Sequence, residues 1–173
     1  MKYSKLISLV LCMFTLLAVN ESMAQEQKKR TSPPAKSEGM VGDVKVTIDY
    51  HSPAADGRKI MGDLVPYGKV WRTGANNATT VEFSKAIKVE GKELAAGKYE
   101  IFTIPGEKDW TVIFQKATGQ WGSYTYKEEN DVLRVSVKSE ATKEFAESLK
   151  LGVDKDAMYI KWENTKVKLA LKN

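Results

Sequence analysis

The chain has 173 residues, with 27 basic and 22 acidic side chains, one histidine and one cysteine. A single thiol, Cys12, excludes a disulfide framework and any thiolate-ligated metal site. The net charge of +5 is too thin and too dispersed for a nucleic-acid footprint.

Residues 1–24 read as an export signal. Lys2 and Lys5 form a positive start, Leu6 to Val19 is mostly apolar, and Ser22-Met23-Ala24 is a small-x-small cleavage pattern. The apolar run is shorter than the roughly 20 residues that a membrane span needs, and the mature chain contains no transmembrane candidate. Leu11 before Cys12, and an apolar run of only about six residues ahead of it, argue for cleavage after Ala24 and against lipidation of Cys12. The expectation is a protein exported to the periplasm or the cell exterior. Losing Lys2, Lys5 and Glu21 with the leader leaves 25 basic and 21 acidic residues, a charge of +4. Lys28, Lys29, Arg30 and Lys36 against Glu26 and Glu38 carry +2 of it, so the excess over the folded part is only +2.

Gln25 to Gly39, QEQKKRTSPPAKSEG, has paired prolines and no large apolar residue. Such a composition buries too little to offset chain entropy. It predicts a disordered polar spacer over 25–40, followed by a single domain over 41–173.

That domain reads as β from end to end. Val44, Val46, Ile48 and Tyr50 alternate with polar residues, the mark of a strand with one buried face. After a long loop, Val81 and Phe83 and then Ile87 and Val89 resume the alternation, and Gly91-Lys92 turns the chain into Leu94. Tyr99 to Ile104 and Trp110 to Gln115 are apolar on both faces, which places them centrally under a second layer of sheet or loops. Leu133, Val135 and Val137 form another face, then Met158, Ile160 and Trp162, and finally Val167, Leu169 and Leu171. Thr142 to Lys150 fits helix or strand, with the strand slightly favoured. The fold class predicted is all-β, an antiparallel β-sandwich of about eight or nine strands.

The long loop, Gly57 to Thr80, holds the densest chemistry. Arg58, Tyr67, Trp71, Arg72 and Asn76 combine guanidinium forks, aromatic faces and an amide with four glycines. Loops so equipped on a rigid scaffold are where recognition concentrates. The same residues also have a structural reading, in which Trp71 is core and Arg72 bonds loop carbonyls. Trp121 and Tyr124, in a glycine-flanked segment, are candidate second walls of the site.

The segment YHSPAADGRKIMGDLVPYGKVWRTGANNATT resembles the exported bacterial domain-of-unknown-function family 2911. VEGKELAAGKYEIFTIP, DWTVIFQK and QWGSYTYKEENDVLRV extend the resemblance over about Asp43 to Asn173. It implies an exported β-rich domain and carries over no catalytic residues.

Other constellations are weaker. His51, two residues after Asp49, suggests a hydrolase, yet no Gly-x-Ser-x-Gly elbow accompanies it. One histidine without thiols is a poor zinc set. Asp49, Asp56 and Asp63 are a thin calcium set, Asp154-Lys155-Asp156 lacks the rest of a calcium loop, and no phosphate-binding loop occurs. No cofactor is expected. The preferred expectation is a non-catalytic module that binds a small polar ligand, a glycan or envelope component, through Arg58, Tyr67, Trp71, Arg72, Asn76, Trp121 and Tyr124. The alternatives are a hydrolase using His51 or a carboxylate pair, and a protein-interaction or assembly module. The sequence names no protein partner.

Overall fold

Alternating apolar side chains cannot bury one face of an isolated strand, so each strand here is completed by its neighbours. A computed structural model describes residues 32–173. The expected leader over 1–24, Cys12 and the first part of the spacer lie outside the described residues. The strands are β1 (Pro34–Val41), β2 (Val44–His51), β3 (Thr79–Phe83), β4 (Ile87–Val89), β5 (Lys92–Leu94), β6 (Gly97–Ile104), β7 (Asp109–Lys116), β8 (Asp131–Asp154) and β9 (Ala157–Lys172). One 3-10 turn, Glu128–Asn130, precedes β8. Among the described residues no helix is long and apolar enough to cross a membrane.

All nine strands belong to one antiparallel sheet in the order β1-β2-β3-β6-β7-β8-β9-β4-β5. The sheet becomes two layers because β8 serves both. Its first part pairs with β7 up to Lys138, and from Ser139 onward it pairs with β9. Register shifts between Ala141 and Ala146, and between Ala146 and Lys150, bend the strand there, as bulges do. Val46, Ile48, Val81, Phe83, Ile101 and Phe114 of one half then share a core with Leu149, Leu151, Met158, Ile160 and Leu169 of the other. The chain leaving β2 closes the wall: Ala55 N–H donates to the Glu147 carbonyl (2.7 Å) and Leu149 N–H to the Pro53 carbonyl (2.9 Å). The expected all-β antiparallel class with about nine strands is what the chain adopts, and Thr142 to Lys150 is strand.

The doubly apolar strands are covered as their composition demands. The inner faces of β6 and β7 join the main core. On their outer faces Phe102 and Ile113 pack with Ala78 under Val70, Ile104 and Tyr126. The outer cover is therefore made by loops, and those loops carry the candidate site.

One expectation is overturned. Residues 34–40, expected within the disordered spacer, are strand, because residues 34–41 pair residue for residue with β2, from Pro34 opposite His51 to Val41 opposite Val44. Composition missed this strand because backbone hydrogen bonds and close approach, rather than apolar side chains, hold most of it. A Cβ on Gly39 would lie 2.7 Å from Val153 on the other layer. Gly39→Val should therefore pry β1 from β8 and cost about 1–3 kcal/mol, the usual range for overpacking. Urea unfolding measures it, and an unchanged midpoint would return β1 to the status of a loose tail.

Candidate functional site

The site is built on two loops laid over the outer faces of β6 and β7. The first is pinned by Trp71. Its backbone exchanges two hydrogen bonds with Thr103 of β6, each 2.8 Å, in line with β3 but beyond its end. That slot sends the indole inward, where it stacks on Trp162 (6.0 Å, 22°) and meets Trp110 edge-on (6.4 Å, 77°). The ring is 9% exposed and its Nε1 donates to the Gly74 carbonyl (3.1 Å). Trp71 is thus a core anchor, and its expected place among the ligand-facing aromatics is corrected.

The turn after it is locked rather than loose. Thr73 is buried with φ +56°, a conformation that costs a β-branched residue dearly. Its Oγ1 bonds Thr103 Oγ1 (3.2 Å), and its carbonyl accepts the Thr79 hydroxyl (2.8 Å). Gly74 is required by close approach, since a Cβ there would stand 2.9 Å from Thr79 Oγ1 and 3.2 Å from the His51 carbonyl. Asn76 takes the left-handed conformation at φ +57°, a role suited to its short amide. Arg58 is committed elsewhere: its Nε and Nη2 donate to the carbonyls of Ala55 (2.9 Å) and Ala54 (2.7 Å) and close its own turn. Tyr67 is exposed and lies over Gly62, which has no room for a Cβ.

The second loop, residues 117–127, is held to the first and to the sheet beneath. Asn77 pairs with Trp121, Ala78 N–H donates to the Gln120 carbonyl and Gly122 N–H to the Asn76 carbonyl, each at 2.9 Å. Below it Glu100 of β6 is fully buried. Its Oε1 accepts three backbone N–H groups, from Thr118 (3.0 Å), Gly119 (2.7 Å) and Gln120 (2.9 Å). Its Oε2 accepts the Gln120 side-chain amide (2.7 Å). Converging amides of this kind can satisfy a carboxylate without a cation. Gln115 of β7 extends the network, donating to the Lys127 carbonyl and to Asp131, both 2.7 Å. Asp131 also accepts the Tyr126 hydroxyl (2.9 Å) and pairs with Arg134 (3.3 Å). Sequence reading passed over Glu100 and Gln115. The signal was that each is the one strongly polar residue inside an apolar run, YEIFTI or WTVIFQ.

Two aromatic rings are held out on this support. Trp121 is 63% exposed and Tyr124 82%, and their rings stack at 5.8 Å and 17°. Gly122 makes room for that stack, since a Cβ there would sit 2.9 Å from the Tyr124 ring. Arg72 lies on the adjoining loop, which the Ser123 hydroxyl ties to Tyr124's loop through the Val70 carbonyl (3.4 Å). Its Nε is buried with no hydrogen-bond partner. Burial pulls the guanidinium below its ordinary pKa, while Tyr124 acts in the opposite direction. Arg72, Asn76, Trp121 and Tyr124 are thereby brought together, and Arg58, Tyr67 and Trp71 are not.

On the β2 side of the paired loops opens a cleft of about 460 Å³, lined by Lys36, Asp49, Tyr50, His51, Asn77 and Thr80, among others. Asp49 reaches Lys98 (3.5 Å). Among the described residues no group of His, Cys, Asp and Glu is placed to hold a metal ion.

The chain belongs to the family described as "Protein of unknown function (DUF2911)", which matches residues 32–171. No curated protein and no solved structure matches the chain significantly.

The two tryptophans on adjacent loops should separate sharply on truncation. Trp71→Ala is expected to cost about 3–5 kcal/mol, as large-to-small core changes do. Trp121→Ala should stay within about 0.5 kcal/mol. Chemical denaturation of both variants checks this, and equal losses would mean that Trp121 is a structural residue.

Tyr126 supplies a pH prediction. Burial first, and then the hydrogen bond to Asp131, push its hydroxyl up to about 12 from the ordinary 10. A raised folded-state value favours the neutral phenol, so this contribution to stability is complete below pH 10 and fades as pH climbs towards 12. The phenolate absorbance lost in Tyr126→Phe should titrate in that upper range, and a midpoint near 10 would refute the coupling.

Proposed function

We propose that the chain is a non-catalytic module that binds a small polar ligand, a glycan or envelope component, on the Trp121–Tyr124 pair with Arg72 and Asn76 beside it. One observation carries the reading: two stacked, solvent-facing aromatic rings stand next to a guanidinium whose Nε has no partner. Flat rings accept the apolar C–H face of a sugar, and a guanidinium fork bonds hydroxyls or carboxylates. Arg72 is only half-buried although its Nε is sealed, so the more open end of the guanidinium is the part that would meet a ligand oxygen. The support beneath fixes the rings before binding, so little ordering cost falls on association. The expected export of the chain brings envelope glycans within reach.

A hydrolytic reading centred on His51 has a cleft but lacks partners. Both oxygens of Glu100 are engaged by loop amides, Asp49 faces Lys98, and the neighbouring Ser52 hydroxyl donates to the Leu149 carbonyl at 2.7 Å. No base–nucleophile pair of the kind that nucleophilic hydrolysis requires converges there among the described residues.

Calorimetric titration against a panel of envelope-type oligosaccharides tests the binding reading. Trp121→Ala, Tyr124→Ala and Arg72→Ala should each weaken the best ligand at least about ten-fold, equivalent to about 1.4 kcal/mol. Arg58→Ala and Tyr67→Ala should leave affinity unchanged. Binding that survives loss of both exposed rings would overturn the proposal.

A further inference from the structure

The cleft beside His51 is separate from the aromatic pair, yet the backbone joins them. Asn77 lines the cleft, and Asn77 is the antiparallel bridge partner of Trp121. Residues directly opposite in an antiparallel pair project their side chains to the same face. The Trp121 loop is therefore paired directly to the cleft wall, with the Asn77 and Trp121 side chains on one face of the loop pair. Gly119, from the same second loop, forms part of the cleft wall.

The cleft and the aromatic pair offer different chemistry. Tyr50, His51, Asn77 and Thr80 supply phenol, imidazole, amide and hydroxyl groups to the cleft. None of their side chains donates or accepts a hydrogen bond within the fold among the described residues. The charges that line it are Lys36 against Asp49 and the sealed carboxylate of Glu100, so the cleft does not favour an anion. Arg72, by contrast, brings positive charge to the loop pair where the Ser123 hydroxyl, one residue before Tyr124, donates to the Val70 carbonyl (3.4 Å). A volume of about 460 Å³ falls within the usual size range of small-ligand sites, roughly 300–1,000 Å³, and suits one or two sugar rings.

We infer that this cleft is a second subsite continuous with the aromatic pair, and that the ligand is a linear oligosaccharide. A neutral, hydroxyl-rich unit occupies the cleft against His51, Asn77 and Thr80, and an acidic unit lies on Trp121 and Tyr124 with its carboxylate towards Arg72. The inference rests on the binding reading above and adds to it chain length, polarity and direction.

Trp121 provides the readout, because the other three tryptophans are buried. Its emission can be titrated in the full-length protein with uronic-acid oligosaccharides of one to four units and with neutral glucose oligosaccharides of the same lengths. Affinity for the acidic series should rise about ten-fold or more between one unit and three, equivalent to about 1.4 kcal/mol, and the neutral series should bind more weakly at each length. His51→Ala and Asn77→Ala should erase the gain from length while leaving single-unit affinity and the Trp121 signal intact. Equal affinity at every length, with both variants silent, would overturn the second subsite and leave the aromatic site standing. A neutral series that binds as tightly as the acidic one would overturn the assigned polarity. No response from any compound would overturn this inference and the binding reading together.

Discussion

The insertion of one indole ring organises everything on the outer side of this sheet. Trp71 sits between Trp110 of β7 and Trp162 of β9, and so touches both halves of the folded-over sheet. A buried indole contributes several kcal/mol through area and packing. With the ring fixed, the backbone of residue 71 must lie against Thr103, and the following turn has only a few residues in which to reach Thr79 at the start of β3. The left-handed Thr73, the sterically confined Gly74 and the left-handed Asn76 are consequences of that short path. They are strained or demanding positions that the anchored ends over-determine.

A second anchor works by different physics. The Glu100 side chain is buried in an apolar layer with no ion pair among the described residues. An unpaired buried carboxylate would ordinarily be severely destabilising. Three backbone amides on one oxygen and a side-chain amide on the other replace its hydration shell, which makes the carboxylate the template around which residues 118–120 fold. The loop cannot relax without leaving the buried Glu100 oxygens unpaired. Gln115, Asp131 and Tyr126 continue the same logic along β7 and into β8. Hydrophobic insertion holds the first loop and polar satisfaction holds the second. The Asn77–Trp121 bridge ties the two constraints together.

The sheet was legible in the sequence because its signal is local. Alternation in VKVTIDYH, and double-faced apolarity in YEIFTI and WTVIFQ, report burial residue by residue. The strand Pro34–Val41 was illegible for the converse reason: pairing through the backbone leaves little trace in side-chain composition. The site was legible in part. Arginine, asparagine and exposed aromatics in glycine-rich loops pointed to Arg72, Asn76, Trp121 and Tyr124, which lie on two loops that hydrogen-bond to each other. Trp71 looked the same on paper as Trp121, since both are tryptophans in loop-like segments. What separates them is which loop borrows a slot beside β6, and that is a tertiary fact. Arg58 was misjudged for a similar reason, because its carbonyl partners at Ala54 and Ala55 are made available only by the turn it closes. Glu100 could have been read from its neighbours, since a carboxylate in the middle of an apolar run must be satisfied by something.

The contrast between the two tryptophans also bears on why an exposed pair exists at all. A chain that can bury Trp71, Trp110 and Trp162 together has the means to bury another ring, and apolar packing against Phe102 and Ile113 is available beside the second loop, where Tyr126 uses it. Trp121 and Tyr124 instead stack on each other in solvent, with Gly122 shaped to allow it. Both rings are mostly exposed, so burial in the apolar layer does not account for their placement. Large exposed aromatics are a cost to solubility unless something covers them, and the neighbouring guanidinium, partly desolvated with a free Nε, carries a second cost of its own. On the proposed binding reading, a ligand with an apolar face would cover the exposed rings on a support already fixed by the fold, so little ordering cost would fall on association.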